Sequence, residues 1–127
     1  MDAENKSRDF AKMARADWEA GMTSSSPYSI CFHAQQAAEK YLKAFVALHG
    51  QVVPKSHDIA GLIERCATID PSLKALLPCA ASLKSFGVEI RYEPSKEEAE
   101  QKCPEAWSAM NSIMAALKHK LPSTGED

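Results

Sequence analysis

Apolar residues recur along this chain at intervals of three and four, and no alternating run persists. That rhythm belongs to helices rather than strands. Phe10, Ala11, Ala14, Trp18 and Met22 share one face, which predicts a first helix from about Ala3 to Met22. Gly21 weakens its end, and Thr23 to Ser26 read as a turn. A second helix opens with Ser26 as cap and Pro27 at a position that needs no backbone N–H. It runs to Leu48 or His49, with Gly50 as the stop. Its apolar positions Ile30, Ala34, Ala37, Tyr41, Ala44 and Leu48, flanked by Cys31, Ala38, Leu42 and Phe45, cover about half the circumference, as expected for a helix with several neighbours.

Three further segments follow. Ser56 is the expected cap of a third helix with Ile59, Leu62, Ile63 and Cys66 as its buried stripe. Asp70-Pro71 opens a fourth, with Leu73, Leu76, Leu77, Ala80 and Leu83 inward and Pro78 expected to kink or split it. Ser95 and Glu98 form a capping box for the last helix. Ala99, Cys103, Trp107, Met110, Met114, Leu117 and Leu121 continue it as core fillers, with a bend expected at Pro104. The pattern predicts an all-α fold, an up-and-down antiparallel bundle of four to five helices. Residues 1–121 form one domain and 122–127 a flexible tail.

The polar positions of the second helix are more informative than its apolar ones. His33, Gln36, Lys40 and Lys43 form a stripe, with Gln35 and Glu39 beside it. Phe32 and Val46 sit among these groups, and apolar residues on a polar face suggest a surface that a partner covers. Phe32, His33, Gln36, Lys40, Lys43 and Val46 are therefore the expected interface. An ordinary solvated face with Glu39 paired to Lys43 is the competing reading.

Bulk properties narrow the function by exclusion. The 127 residues suit one domain. A net charge of −2 gives no basic excess for coating nucleic acid. The polar start Met1-Asp2-Ala3-Glu4-Asn5-Lys6 lacks a signal core, and no apolar run approaches the ~20 residues of a membrane span. A soluble cytoplasmic protein is expected. Cys31, Cys66, Cys79 and Cys103 show no Cys-x-x-Cys pair and are expected as free thiols. Paired Glu-x-x-His, His-Glu-x-x-His, Gly-x-Ser-x-Gly and Gly-rich phosphate loops are missing, so no metal and no cofactor is expected.

Three stretches, in order, carry a resemblance. The run from Cys31 to Ala44 (Cys-Phe-His-Ala-Gln-Gln-Ala-Ala-Glu-Lys-Tyr-Leu-Lys-Ala) resembles the second helix of prokaryotic HEPN domains, named for nucleotide binding in prokaryotes and higher eukaryotes. Lys55-Ser56-His57-Asp58-Ile59, then Leu62, resembles the family's Lys-Thr-His-Asp-Leu helix start. Arg91-Tyr92-Glu93-Pro94 looks like its Arg-Tyr-Pro segment with one residue inserted. Ala14-Arg15-Ala16-Asp17-Trp18 in the first helix also fits.

The resemblance implies a helical bundle, commonly a homodimer, often encoded beside or fused to a minimal nucleotidyltransferase. Other members are metal-independent RNases, many of them toxins, that use Arg-x(4–6)-His. Here the positions after Arg91 hold Lys96, Glu97 and Glu98, and no other arginine has a histidine in the window. The resemblance therefore implies a non-catalytic nucleotide- or RNA-binding or protein-interaction module, working with a nucleotidyltransferase in a toxin–antitoxin-like or stress system. Arg91, Tyr92, His57, Asp58 and Lys40 are the expected ligand-binding residues. A rewired RNase using Arg91 and His57 stays open, since cleavage needs a proton-transfer group and a cation over the phosphorane. So does a structural or regulatory helical dimer without a ligand. For His57 and Asp58, placed in the first turn of the third helix, the plainer alternative is a local hydrogen bond and a favourable helix-end charge.

Overall fold

A computed structural model describes residues 2–83 and 96–122, with side chains described at 2–83 and 104–122. Five α-helices account for most of it: α1 (Asp2–Thr23), α2 (Pro27–Leu48), α3 (Ile59–Ile69), α4 (Leu77–Leu83) and α5 (Lys96–Leu117). No strand occurs among the described residues. The link 24–26 is too short for anything but a reversal, so α1 and α2 lie antiparallel.

Helix ends follow local chemistry. The Ser26 side chain accepts from the Ser29 N–H, Pro27 occupies the first turn, and Gly50 adopts φ +73° just beyond α2. That left-handed conformation is available to glycine without a Cβ penalty. Asp70 accepts from the Ser72 N–H ahead of Pro71, but the turn that follows is a 3-10 helix, Pro71–Leu76, before α4 begins. The expected split at Pro78 thus falls slightly earlier. Pro78 sits in the first turn of α4, where its missing N–H leaves no gap. Helix α5 runs through Pro104, and its last turn tightens into a 3-10 helix at Lys118–Lys120. The capping box at Ser95 and the link through Arg91 and Tyr92 lie outside the described residues.

The third helix corrects one expectation. Its cap is Asp58, not Ser56, and His57 precedes the helix rather than lying in its first turn. The Ser56 Oγ instead accepts from the Asp58 N–H at 2.9 Å, closing a small turn that sets the approach. Asp58 makes no side-chain capping bond. Its carboxylate lies across Gly61, where an added Cβ would come 2.9 Å from Oδ2.

Helix α2 is the hub. It packs against α1, α3, α4 and α5, and thirteen of its 22 residues are buried. Alanines 34, 37, 38 and 44 let neighbours approach closely, while Leu42, Phe45 and Val46 join Ile59, Leu62, Ile63, Leu83, Met110, Ile113 and Leu117 in the core. Trp107 and Met114 are only half-buried and pack against this core from its edge. Met22, expected inward, is exposed, and Gly21 takes the buried position instead, against Trp107. The Ser7 hydroxyl donates to the Ala44 carbonyl at 2.7 Å, tying α1 to α2 where both are buried.

Enclosure of α2 overturns part of the expected contact face. Val46 is 0% exposed and Lys43 7%, so neither awaits a partner. Several neighbours cover the helix, and Lys43 on that side is paired with Glu39. Cysteine also departs from expectation. Cys66 and Cys79 are free thiols, but buried Cys31 is disulfide-bonded.

Candidate functional site

The charged and amide side chains at 35, 39 and 43 recur every fourth residue, so they line one stripe of α2. In a solvated helix this would be unremarkable. Here the stripe faces the segment that leads into α3. Glu39 is 2% exposed and holds two partners, one on each oxygen. Lys43 Nζ donates to Oε2 at 3.0 Å. His57 Nδ1 lies 2.9 Å from Oε1, across eighteen residues of chain. Gln35 Nε2 donates to the His57 carbonyl at 3.3 Å, so α2 grips both the backbone and the ring of this residue.

Burial by itself pushes the Glu39 carboxyl up. The hydrogen bonds from His57 and Lys43 and the charges of the same two groups outweigh it and hold the carboxyl below its ordinary 4.5. Glu39 is therefore a carboxylate at neutral pH, an acceptor only. The His57 side chain, by contrast, is 54% exposed. The arrangement is a half-exposed imidazole whose inner nitrogen is fixed by a buried anion, itself balanced by a buried lysine.

The Gln35 Oε1 atom is buried and has no hydrogen-bond partner. Flipping the amide does not help, because Oε1 would then face the His57 carbonyl, acceptor against acceptor. An acceptor left without a donor costs about 1–3 kcal/mol.

The remaining expected site residues separate. Lys40 bonds to Gln36 Oε1 at 3.0 Å and makes no hydrogen bond with His57 or Asp58. His33 Nδ1 lies 2.9 Å from Asp17 Oδ1 on α1, with both side chains half-buried. Phe32 meets the His33 ring edge-on at 5.4 Å. The expected stripe thus resolves into three unrelated pairings. Arg91 and Tyr92 lie outside the described residues. Glu39 and Gln35, which helical periodicity puts beside the stripe, are the centre of the site. The signal that could have revealed them is Val46, an apolar residue at the end of the same row, which marks that row as interior.

Among the described residues, no three His, Cys, Asp or Glu side chains gather to hold a metal. None of the described helices is long and apolar enough to cross a membrane.

The HEPN domain model matches residues 4–120, nearly the whole chain. The chain belongs to the HEPN domain family. At family level this makes it a nucleotide- or RNA-related helical module. Comparisons with curated proteins and with solved structures give no match.

Proposed function

We propose that this HEPN-domain protein is a non-catalytic nucleotide- or RNA-binding module. It acts as a cytoplasmic homodimer beside a nucleotidyltransferase, in a toxin–antitoxin-like or stress system. The observation that carries the ligand claim is His57, a half-exposed imidazole locked from behind by Glu39 at 2.9 Å. Side chains held this way bind without a large ordering cost. Arg91 and Tyr92 would supply the phosphate and stacking contacts. Lack of the Arg-x(4–6)-His pattern favours binding over cleavage. For the dimer, the contact face narrows to Phe32, His33, Gln36 and Lys40, because Val46 and Lys43 are interior.

Isothermal titration with adenine nucleotides and short RNA tests the ligand claim, and light scattering tests the dimer. Heat from a nucleotide or RNA, with affinity reduced in His57→Ala, is the expected result. A strict monomer at high micromolar concentration would sink the dimer, and heat-free titrations would sink the ligand.

One observation favours a second reading, a rewired metal-independent RNase. A histidine oriented by a carboxylate is suited to proton transfer. In that chemistry His57 takes the ribose 2′-hydroxyl proton as the 2′-oxygen attacks the adjacent phosphorus. The bond to the 5′-oxygen breaks and that oxygen leaves with a proton taken from water, giving a 2′,3′-cyclic phosphate. RNA cleavage in the presence of chelator, lost in both Arg91→Ala and His57→Ala, would establish it. Cleavage that survives both changes would mark a contaminant.

A further inference from the structure

The two groups that hold Glu39 also decide which proton His57 keeps. Glu39 Oε2 takes a hydrogen from Lys43, and Oε1 faces His57 Nδ1. A carboxylate has no hydrogen to give, so the proton between Oε1 and Nδ1 belongs to the ring. A neutral imidazole with its hydrogen on Nδ1 has a bare lone pair on Nε2. No described residue hydrogen-bonds to Nε2, and the side chain is half-exposed. The Gln35 amide, held by the His57 carbonyl, leaves its buried Oε1 without a donor. On the neutral ring Nε2 is thus the accessible acceptor.

From this we infer that His57 Nε2 accepts a hydrogen bond from a neutral ligand donor, a ribose hydroxyl or a base amino group, with Glu39 as the positioning residue. A phosphate oxygen is itself an acceptor and finds no partner at a bare Nε2. The inference deepens the nucleotide- or RNA-binding reading and rests on it for the ligand. Its account of the imidazole rests on the ionised Glu39 between Lys43 and a neutral His57.

Glu39→Gln gives a conservative reversal. The amide oxygen turns to Lys43, which can only donate, and the amide nitrogen then faces Nδ1. That nitrogen donates, Nδ1 becomes the acceptor, and the proton moves to Nε2.

The experiment has two arms. Nitrogen-15 NMR of the imidazole at neutral pH should show His57 protonated on Nδ1 in the wild type and on Nε2 in Glu39→Gln. Protonation on Nε2 in the wild type overturns the inference whatever binds. In the second arm, adenosine monophosphate is compared with its 2′,3′-dideoxy analogue and with inosine monophosphate, which lacks the amino group. One analogue should bind about tenfold more weakly, as expected for an acceptor deprived of its donor. The difference should vanish in His57→Ala. Equal binding of all three overturns the ligand assignment. If none of the three binds, the nucleotide reading of the preceding section fails, while the NMR arm still decides the state of the ring.

Discussion

Two histidines in this fold each place Nδ1 2.9 Å from a carboxylate oxygen, and they differ in everything else. His33 and Asp17 join α1 to α2, with side chains 24% and 21% exposed. Neither is deep, neither has a second charged partner among the described residues, and the pair sits near the close contact of Gly21 with Trp107. His57 and Glu39 join a surface segment to the hub helix, with one partner half-exposed and the other almost wholly enclosed. The first pair acts as a strap between helices. The second is a buried anion that dictates what an accessible ring can do. The same bond length thus serves two purposes, and burial of the carboxylate separates them.

The sharpest way to break the comparison is to remove each carboxylate. Glu39→Ala leaves Lys43 enclosed without its anion, and breaking a buried pair costs about 3 kcal/mol or more. Asp17→Ala should cost about 1 kcal/mol or less, since a half-exposed pair is weakened by solvent. Urea titrations of both variants measure the gap, and equal costs would erase the distinction.

A middle-sized effect tests the packing beside the strap. In Gly21→Ala the new Cβ would lie 2.4 Å from Trp107 Cζ3 and 3.3 Å from His33 Cβ, so the indole must move. Overpacking of this kind costs about 1–3 kcal/mol. A shift in tryptophan emission should accompany it, with the His57 resonances unchanged.

The pH response sharpens the comparison from the other side. Glu39 has a lower pKa folded than unfolded, so its contribution is complete above its ordinary 4.5 and is lost as pH falls through the lower folded value. Glu39→Gln lacks this titration. Urea midpoints of wild type and variant should converge in acid, separate as pH rises from the lowered folded value to 4.5, and keep a constant gap above that. Parallel curves would show that Glu39 is not stabilised as a carboxylate.

The smallest expected effect concerns a thiol near the hub. Burial pushes the Cys66 thiol up to about 12, and its Sγ donates weakly to the Leu42 carbonyl at 3.5 Å. Cys66 should resist alkylation at pH 8 in the folded protein and react once unfolded. Mass spectrometry of the labelled peptides reads this directly.

Much of the fold was legible because its signals are local. Ser26-Pro27 and Gly50 bracket α2, and Asp70-Pro71 opens the next segment, each through hydrogen bonds made within a few residues. Ser56 misled for the same reason. It bonds to the Asp58 N–H as a cap would, but the helix starts after Asp58. The site was less legible. A stripe of His33, Gln36, Lys40 and Lys43 reads as a surface when a helix is pictured against one neighbour. On a hub helix, polar residues four apart can be interior if they satisfy each other, as Glu39 and Lys43 do. The bond from Glu39 to His57 depends on how the chain returns after α2, which no local pattern encodes.

Binding-site mapping tests the central claim most directly. Amide and imidazole resonances of the full chain should be followed during titration with adenosine monophosphate, then with a short single-stranded RNA. The account predicts shifts concentrated at His57, Asp58, Gln35 and Glu39, with His33 and Asp17 little changed. Shifts centred on His33 and Asp17, or no shift with either probe, would contradict it.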